Sequence, residues 1–439
     1  MRSVPAPGGL GRRAFLAVTT TGCLAAGLGR TPRGGLLRLS VPWPLAALDP
    51  HAIDDACAAL FGAAVAEPLF ALDPRGRPYP ALAATLPERG PKGTVLRLRP
   101  FLRSGRGASL DGRDLIFSWQ RARARAAAGL LGPFGEPFHD REDGLVVVVP
   151  DAEPEALALA LTSPVTALVP RGFDPRRPDG TGPFTATPGR EQIRLERNAF
   201  AARGAPWLDA VEVRRATDLA DALRAFESGE VDVGWLGRGL HRPRAGATDF
   251  VGPPLGWATL WTGRRSGTWG APGVAQRLLD GIDPARLDHL GFGALPPAQG
   301  STRWGGAPTG VLVRDDAPQL ARIASAVASA LGQPGHELTV EPLPGNEIQR
   351  RRRDGDFALM VEFVRSLGRG TGLAQLALLA AADPAMARRP PRGAEADVRV
   401  VGRTLPLGVI GEVGVRGAEV DRVRGLAAWD FGAMFVPRR

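Results

Sequence analysis

Five histidines, His51, His139, His241, His289 and His336, are the first residues to test for metal or acid–base chemistry, and they are scattered along the chain. No two share the one-turn helical spacing of a zinc-binding pair. No Gly-Xaa-Ser-Xaa-Gly segment supplies a nucleophile elbow. With two cysteines and four methionines there is no cluster of soft ligands for nickel or another transition metal. The sequence therefore reads as that of a protein that is not an enzyme and carries no cofactor and no metal. What remains is the chemistry of holding a molecule. Trp43 and Trp235 each stand just past the end of an expected strand, and Trp257 and Trp261 flank another, so the four indoles are candidate walls of a cleft, with core packing as the alternative for each. Arg365 and Arg369 share a glycine-rich stretch, and Arg264 with Arg265 forms a second cationic pair. Each set is suited to a carboxylate or another anion, with a plain surface loop as the alternative. Gly368-Arg369-Gly370-Thr371-Gly372 has the look of a phosphate cradle but lacks the Lys-Ser/Thr ending and the full dinucleotide spacing.

These residues need a scaffold, and the hydrophobic pattern supplies one. Leu36 to Val41 reads as a first strand running into the loop Trp43 to Pro50. Ile53 to Leu69 has helical spacing, with Asp54 and Asp55 in its first turn, and Asp73-Pro74-Arg75-Gly76 is a turn. Leu96 to Leu98 and Leu145 to Val149 read as strands, and Asp111 to Arg125 as an amphipathic helix. Further on, Ile193 to Glu196 and Val211 to Arg214 are strands. Helix Leu219 to Ser228, Gly229 and strand Val231 to Val233 follow. The same order returns as strand Leu338 to Glu341, helix Asn346 to Asp354, Gly355 and strand Phe357 to Phe363. In both copies the glycine marks a left-handed helix cap. Two α/β units built alike predict two lobes whose strand ends face a common cleft, and chance similarity of two βαβ units is the alternative.

The length of 439 residues allows two or three lobes, and 57 Gly with 41 Pro predict many turns. The net charge of +10 would suggest nucleic acid, but Lys92 is the only lysine, a bias that reads as codon usage rather than a binding face. The densest run, Arg350 to Arg353, is flanked by Glu347 and Asp354 and lacks interleaved aromatics, so it reads as a solvated helix face. Arg12-Arg13-Ala14-Phe15-Leu16 opens an apolar stretch to Leu28, which predicts an export leader over residues 1–30 of the twin-arginine kind and a periplasmic or extracytoplasmic location. The stretch is too short to span a bilayer. Thr20-Thr21-Gly22-Cys23 offers lipid anchoring at Cys23 as the alternative to simple cleavage near residues 25 to 30. Cleavage would leave Cys57 alone, within an apolar segment where it reads as a small buried hydrophobe.

Several blocks along the mature chain carry a resemblance. Leu48-Asp49-Pro50, Glu67-Pro68-Leu69-Phe70 and Pro80-Ala81-Leu82-Ala83 come first, then Leu98-Arg99-Pro100 with Gly107, Leu110, Asp114, Phe117-Ser118 and Arg121. Gly180-Thr181-Gly182-Pro183-Phe184 and Leu195-Glu196-Arg197-Asn198 are the most specific, followed by Ser228-Gly229-Glu230-Val231-Asp232, Gly281 to Leu287 and Gly355-Asp356-Phe357. Together they resemble the peptide/nickel type of solute-binding protein, family 5, which serves ABC importers. Arg106, Ser104 and Ala201 depart from that pattern. So does Val364 to Gly372, which holds no acid where peptide binders of the family often place an Asp-Pro segment for the peptide amino terminus.

The resemblance implies an α/β, two-lobed periplasmic-binding-protein-like fold (type II, cluster C-like) with an extra small subdomain in lobe I. Lobe I is expected over residues 36–237 plus 405–439 and lobe II over residues 238–404. The chain then crosses between lobes twice, near residues 234–239 and 400–406. The function implied is capture of an oligopeptide or other small polar solute by hinge closure, by a monomer that binds no nucleic acid and delivers the solute to an ABC permease and its ATPase. An accessory or sensory protein of the same fold is the alternative. An exported hydrolase, the alternative of another class, finds no motif.

Overall fold

A computed structural model describes residues 34–206, 208–235, 247–287, 290, 300–368, 371–382, 384–388 and 404–416. The expected leader, Arg369 and both expected crossing points beyond Trp235 and before Thr404 lie outside them. Strand β1 (Leu36–Val41) is the sequence-expected one, burying Leu37, Leu39 and Val41. It enters helix α1 (Ala56–Val65) after a loop. The expected helix over Ile53 to Leu69 is shorter because Asp55 takes the N-cap: its carboxylate accepts the Ala58 N–H at 2.8 Å, leaving Ile53 and Asp54 outside.

A small subdomain follows. Strands β2 (Phe70–Leu72) and β3 (Pro78–Pro80) form a hairpin around the expected turn, where Gly76 has φ +78°. Strands β4 (Glu88–Gly90), β5 (Gly93–Arg97), β6 (Phe138–His139) and β7 (Val146–Val149) form a sheet in the order β4-β5-β7-β6. Helices α2 (Gly112–Arg123), α3 (Ala128–Leu131) and α4 (Pro154–Ala160) complete it. Helix α2 starts at a reciprocal capping box between Asp111 and Asp114. Leu96, Leu98, Leu115, Trp119, Val147 and Val149 sit in the core beneath.

The chain then returns through β8 (Phe184–Pro188), β9 (Gln192–Arg197), β10 (Ala210–Arg215), helix α5 (Leu219–Ser228) and β11 (Val233–Trp235). Beyond it come the 16-residue strand β12 (Ala247–Thr262), helix α6 (Pro272–Asp280), β13 (Thr309–Arg314), helix α7 (Pro318–Leu331) and β14 (Leu338–Leu343). Helix α8 (Gly345–Asp354), β15 (Leu359–Arg365), helix α9 (Thr371–Ala382) and the 13-residue strand β16 (Thr404–Arg416) complete the order. Gly281 to Leu287, matched in sequence to a helical segment, holds only a single 3-10 turn at Pro284–Arg286.

Ten of these strands form one sheet, ordered β14-β13-β15-β12-β16-β11-β1-β10-β9-β8. The repeat read from sequence is a topological repeat. Strands β10 and β11 lie parallel to β1 on either side of it, and β14 and β15 lie parallel to β13 on either side of it. Each pair is linked by one helix that ends on a left-handed glycine, Gly229 at φ +88° and Gly355 at φ +66°. The two half-sheets join through β12 and β16, which pair antiparallel from Ala247 opposite Arg416 to Trp261 opposite Thr404. One end of β16 pairs with β11 and the far end of β12 with β15, so this long ribbon belongs to both halves.

Three of the sequence blocks meet at the C-terminal end of α1. A Cβ on Gly180 would lie 2.4 Å from the Val65 carbonyl oxygen, and one on Gly182 2.5 Å from that of Ala64, so only glycine lets the segment leading into β8 approach the helix. The Asn198 side-chain amide donates to the Gly182 carbonyl at 2.7 Å, and the Arg203 Nε donates to Glu67 at 2.6 Å. The three blocks form one packed joint.

Candidate functional site

In open α/β sheets, ligands gather beyond the carboxyl ends of parallel strands. Here those ends belong to β1, β11, β13 and β15, and they converge where the half-sheets meet. Trp43, two residues past β1, packs edge-on against Trp235 at the end of β11, with ring centroids 6.1 Å apart and planes at 88°. On its other side it meets the ring of Phe363 from β15 at 5.6 Å. The two tryptophans expected at strand ends are thus brought together. Phe363, which sequence reading assigned only to a strand, is the third ring. All three are buried, and the Trp43 indole nitrogen has no hydrogen-bond partner among the described residues.

Arg365 is placed differently from its sequence expectation. It is the last residue of β15 rather than part of a loop, and it is 2% exposed. Its guanidinium donates to the carbonyls of Pro50 at 2.9 Å and Ala58 at 3.2 Å, and its backbone N–H donates to Ile53. Burial pulls its pKa down to about 10, against the pull of Asp55 and Asp49. Arg365 thereby pins the segment before α1 to the second half-sheet.

On the opposite face of β15 a second arginine makes a parallel link. Arg352 of α8 pairs with Glu362 at 2.7 Å and with Asp54 at 3.0 Å, and lies 5.8 Å from the centroid of the Trp261 ring. The Trp261 indole donates to Thr259 at 2.7 Å. Burial raises the Glu362 pKa, with Arg352 opposing it. The run Arg350 to Arg353 is therefore only partly the solvated face expected. Arg350 and Arg351 pair with Glu347, Arg353 is exposed, and Arg352 turns inward.

The remaining candidates lie apart from the aromatic cluster. Trp257 is half-buried in β12. Arg264 donates to the Asp354 carbonyl and Arg265 pairs with Asp356 at 2.6 Å, both at the exposed end of α8. Arg369 lies outside the described residues.

Beneath the cluster the Leu48-Asp49-Pro50 block anchors a buried charge network. Asp49 takes both Arg121 nitrogens at 2.6 and 2.7 Å and Arg125 at 2.7 Å. Burial alone would raise its pKa, but the Arg121 hydrogen bonds and the arginine charges outweigh it and hold it below the ordinary value. His51 hydrogen-bonds the Ala167 carbonyl through Nε2 at 2.8 Å and Arg121 through Nδ1 at 3.0 Å. Donating at Nε2 and accepting at Nδ1 is the pattern of a neutral ring, and burial lowers its pKa to about 4. Cys57, 1% exposed, has its thiol pKa pushed up by burial.

No family model matches the sequence, and no curated protein matches it. Solved structures do match in shape. The pheromone receptor PrgZ shares 13% identity over 88% of this chain and 96% of its own, with a TM-score of 0.67. The PBP AgaA of A. tumefaciens R10, solved with agropinic acid, shares 14% over 92% and 99%, at 0.65. The Listeria monocytogenes OppA bound to peptide shares 13% over 88% and 95%, also at 0.65. The chain has the two-lobed α/β fold of these binding proteins, the architecture implied by its resemblance to the peptide/nickel type.

Proposed function

We propose that this chain is the extracytoplasmic solute-binding protein of an ABC importer. It would capture a peptide-like or other small polar solute by hinge closure and pass it to a membrane permease. The observation that carries the proposal is the pair of matching half-sheets joined through the β12 and β16 ribbon, with aromatic side chains from both halves meeting at the strand ends. Lobe I would comprise residues 36–237 plus 405–439, and lobe II residues 238–404. Bending of the ribbon would then part Trp43 and Trp235 from Phe363.

In this reading no residue acts as nucleophile or base. A solute that touches both lobes favours the closed state by the difference of its affinities for the two, and the permease recognises that state. The unpartnered Trp43 indole N–H is the donor a polar solute would satisfy. Trp235 and Phe363 would hold that indole in place, and Arg365 would fix the segment ahead of α1 through the Pro50 and Ala58 carbonyls. Export by a twin-arginine leader would bring the folded protein to its solute.

Thermal-shift and X-ray scattering screens with short peptides, opines and sugars provide the test. A solute should raise the melting temperature and reduce the radius of gyration together. Trp43→Phe, which keeps the ring packing but removes the N–H, should weaken that solute about tenfold without changing the fold. If none of the solute classes stabilises or compacts the protein, the reading is wrong.

A further inference from the structure

The loop that follows β5 holds a side chain that its own backbone disfavours. Pro100 and Phe101 are the two central residues of a turn from Arg99 to Leu102, and Phe101 has φ +61°. Proline followed by a residue with positive φ is the pattern of a type II turn, whose third position belongs to glycine because a Cβ there crowds the backbone. Among the described residues only one other non-glycine, Asp151, has positive φ, and a short polar side chain tolerates it far better than a phenylalanine. The Phe101 ring gains nothing from the fold in return, being 95% exposed, whereas the next most exposed of the large hydrophobics among the described residues is Leu159 at 54%.

The same loop carries exposed arginines and packs against a second, partly exposed ring. Leu102 and Ser104 point inward while Phe101 and Arg103 face solvent. The Arg103 guanidinium lies 5.6 Å over the ring of Phe200, itself 40% exposed, and Arg106 is exposed at the tip of the same loop. From Pro91 to Leu110 the sequence holds Lys92, Arg97, Arg99, Arg103 and Arg106 and no acid. The loop is fixed in place: Leu110 N–H bonds Leu102, Ser104 N–H bonds Ala108, and Gly105 N–H bonds Gly180 across the chain. A rigid loop thus presents one fully exposed ring, followed two and five residues on by the exposed Arg103 and Arg106, with a single carboxylate, Asp179, on the Arg106 N–H at 3.2 Å.

We propose that this loop docks the protein on an anionic lipid surface, with Phe101 inserted at the boundary of headgroups and acyl chains and Arg103 and Arg106 on lipid phosphates. A protein partner would be met by a broader apolar patch with a polar rim, whereas a lone aromatic ring flanked by arginines matches the layered chemistry of a bilayer interface. Backbone strain held at an exposed residue is the signature of a position retained for contact rather than for stability. The proposal is independent of solute capture.

Flotation of the full chain with vesicles tests it. Vesicles of phosphatidylethanolamine with about a third phosphatidylglycerol should carry the protein, phosphatidylcholine vesicles should carry far less, and about 0.5 M salt should reduce the bound fraction. Phe101→Gly relieves the turn, so it should keep or raise the melting temperature while lowering vesicle binding about tenfold. Arg103→Glu with Arg106→Glu should lower it at least as much. Arg353→Glu, the same kind of exchange at a single site on the exposed face of α8, is the control and should bind as wild type. Wild-type binding by Phe101→Gly, an equal loss with Arg353→Glu, or equal flotation on phosphatidylcholine would each overturn the proposal. So would a full chain that ignores both vesicle types.

Discussion

His51 and Asp55 sit six and two residues before Cys57 in one buried segment, yet burial drives them in opposite directions. The His51 pKa falls to about 4, so the unfolded chain binds the extra proton between its ordinary value of 6.5 and 4. His51 therefore contributes its full stability above pH 6.5 and loses it as the pH falls to 4. Burial raises Asp55 from 3.8 to about 6, so the native state binds the extra proton in that interval. Asp55 is thus least costly at low pH and becomes costly as the pH rises to 6. Each shift of about two units corresponds to about 3 kcal/mol, so between pH 4 and 6 the two nearly cancel. Replacing the ring with a neutral amide, His51→Gln, should unmask Asp55. Urea melts of this variant should show stability that climbs on acidification from pH 6 to 4, where the wild type stays flat or declines. A decline as steep as the wild type's would mean that His51 is not the buried neutral group described.

At the scale of elements, the glycines that end α5 and α8 and the pair that meets α1 carry most of what was readable as motif. The caps were legible because a glycine between a helical pattern and a strand has few other uses, and both have positive φ. Gly355→Ala should cost about 1 kcal/mol in a denaturant melt, and Gly355→Asn less, because asparagine tolerates the left-handed conformation. Gly182→Ala should cost more, about 2 kcal/mol or above, since its Cβ would meet the backbone of Ala64 rather than a movable side chain. Equal costs for Gly182→Ala and Gly355→Ala would indicate that the α1 joint yields. The limits of α1 were not legible. Ile53 and Asp54 keep the helical spacing, but Asp55 binds the Ala58 N–H and Arg365 and Arg352 claim the residues ahead of it.

Across the whole molecule, two arginines of the proposed second lobe reach residues of the first from opposite faces of one strand. Arg365 takes the carbonyls of Pro50 and Ala58, and Arg352 takes Asp54 together with Glu362. Removing one partner of a buried pair leaves a charge without compensation, at a cost of about 3 kcal/mol. Arg352→Met should leave Glu362 without its partner in either state and Asp54 without it only where the halves touch, which should shift an open-to-closed ratio about tenfold. Scattering should then report a larger radius of gyration for Arg352→Met than for wild type without solute. An unchanged radius together with a lower melting temperature would assign Arg352 to folding alone.

The sequence by itself determined the repeated strand, helix and strand around Gly229 and Gly355 and the motifs that join them. Helical and strand periods, caps and turn glycines are local features written within a dozen residues of each other. It also placed Trp43 and Trp235 at strand ends, because a strand end is a local property. Only the tertiary structure decided what stands opposite them. Phe363 meets Trp43, Arg365 is withdrawn into the carbonyls of Pro50 and Ala58, and Arg352 is turned in from a run that looks solvated. Charge and aromaticity say what a side chain can bind, but its partner is set by contacts across some three hundred residues of chain, as between Asp54 and Arg352. No local pattern encodes that separation.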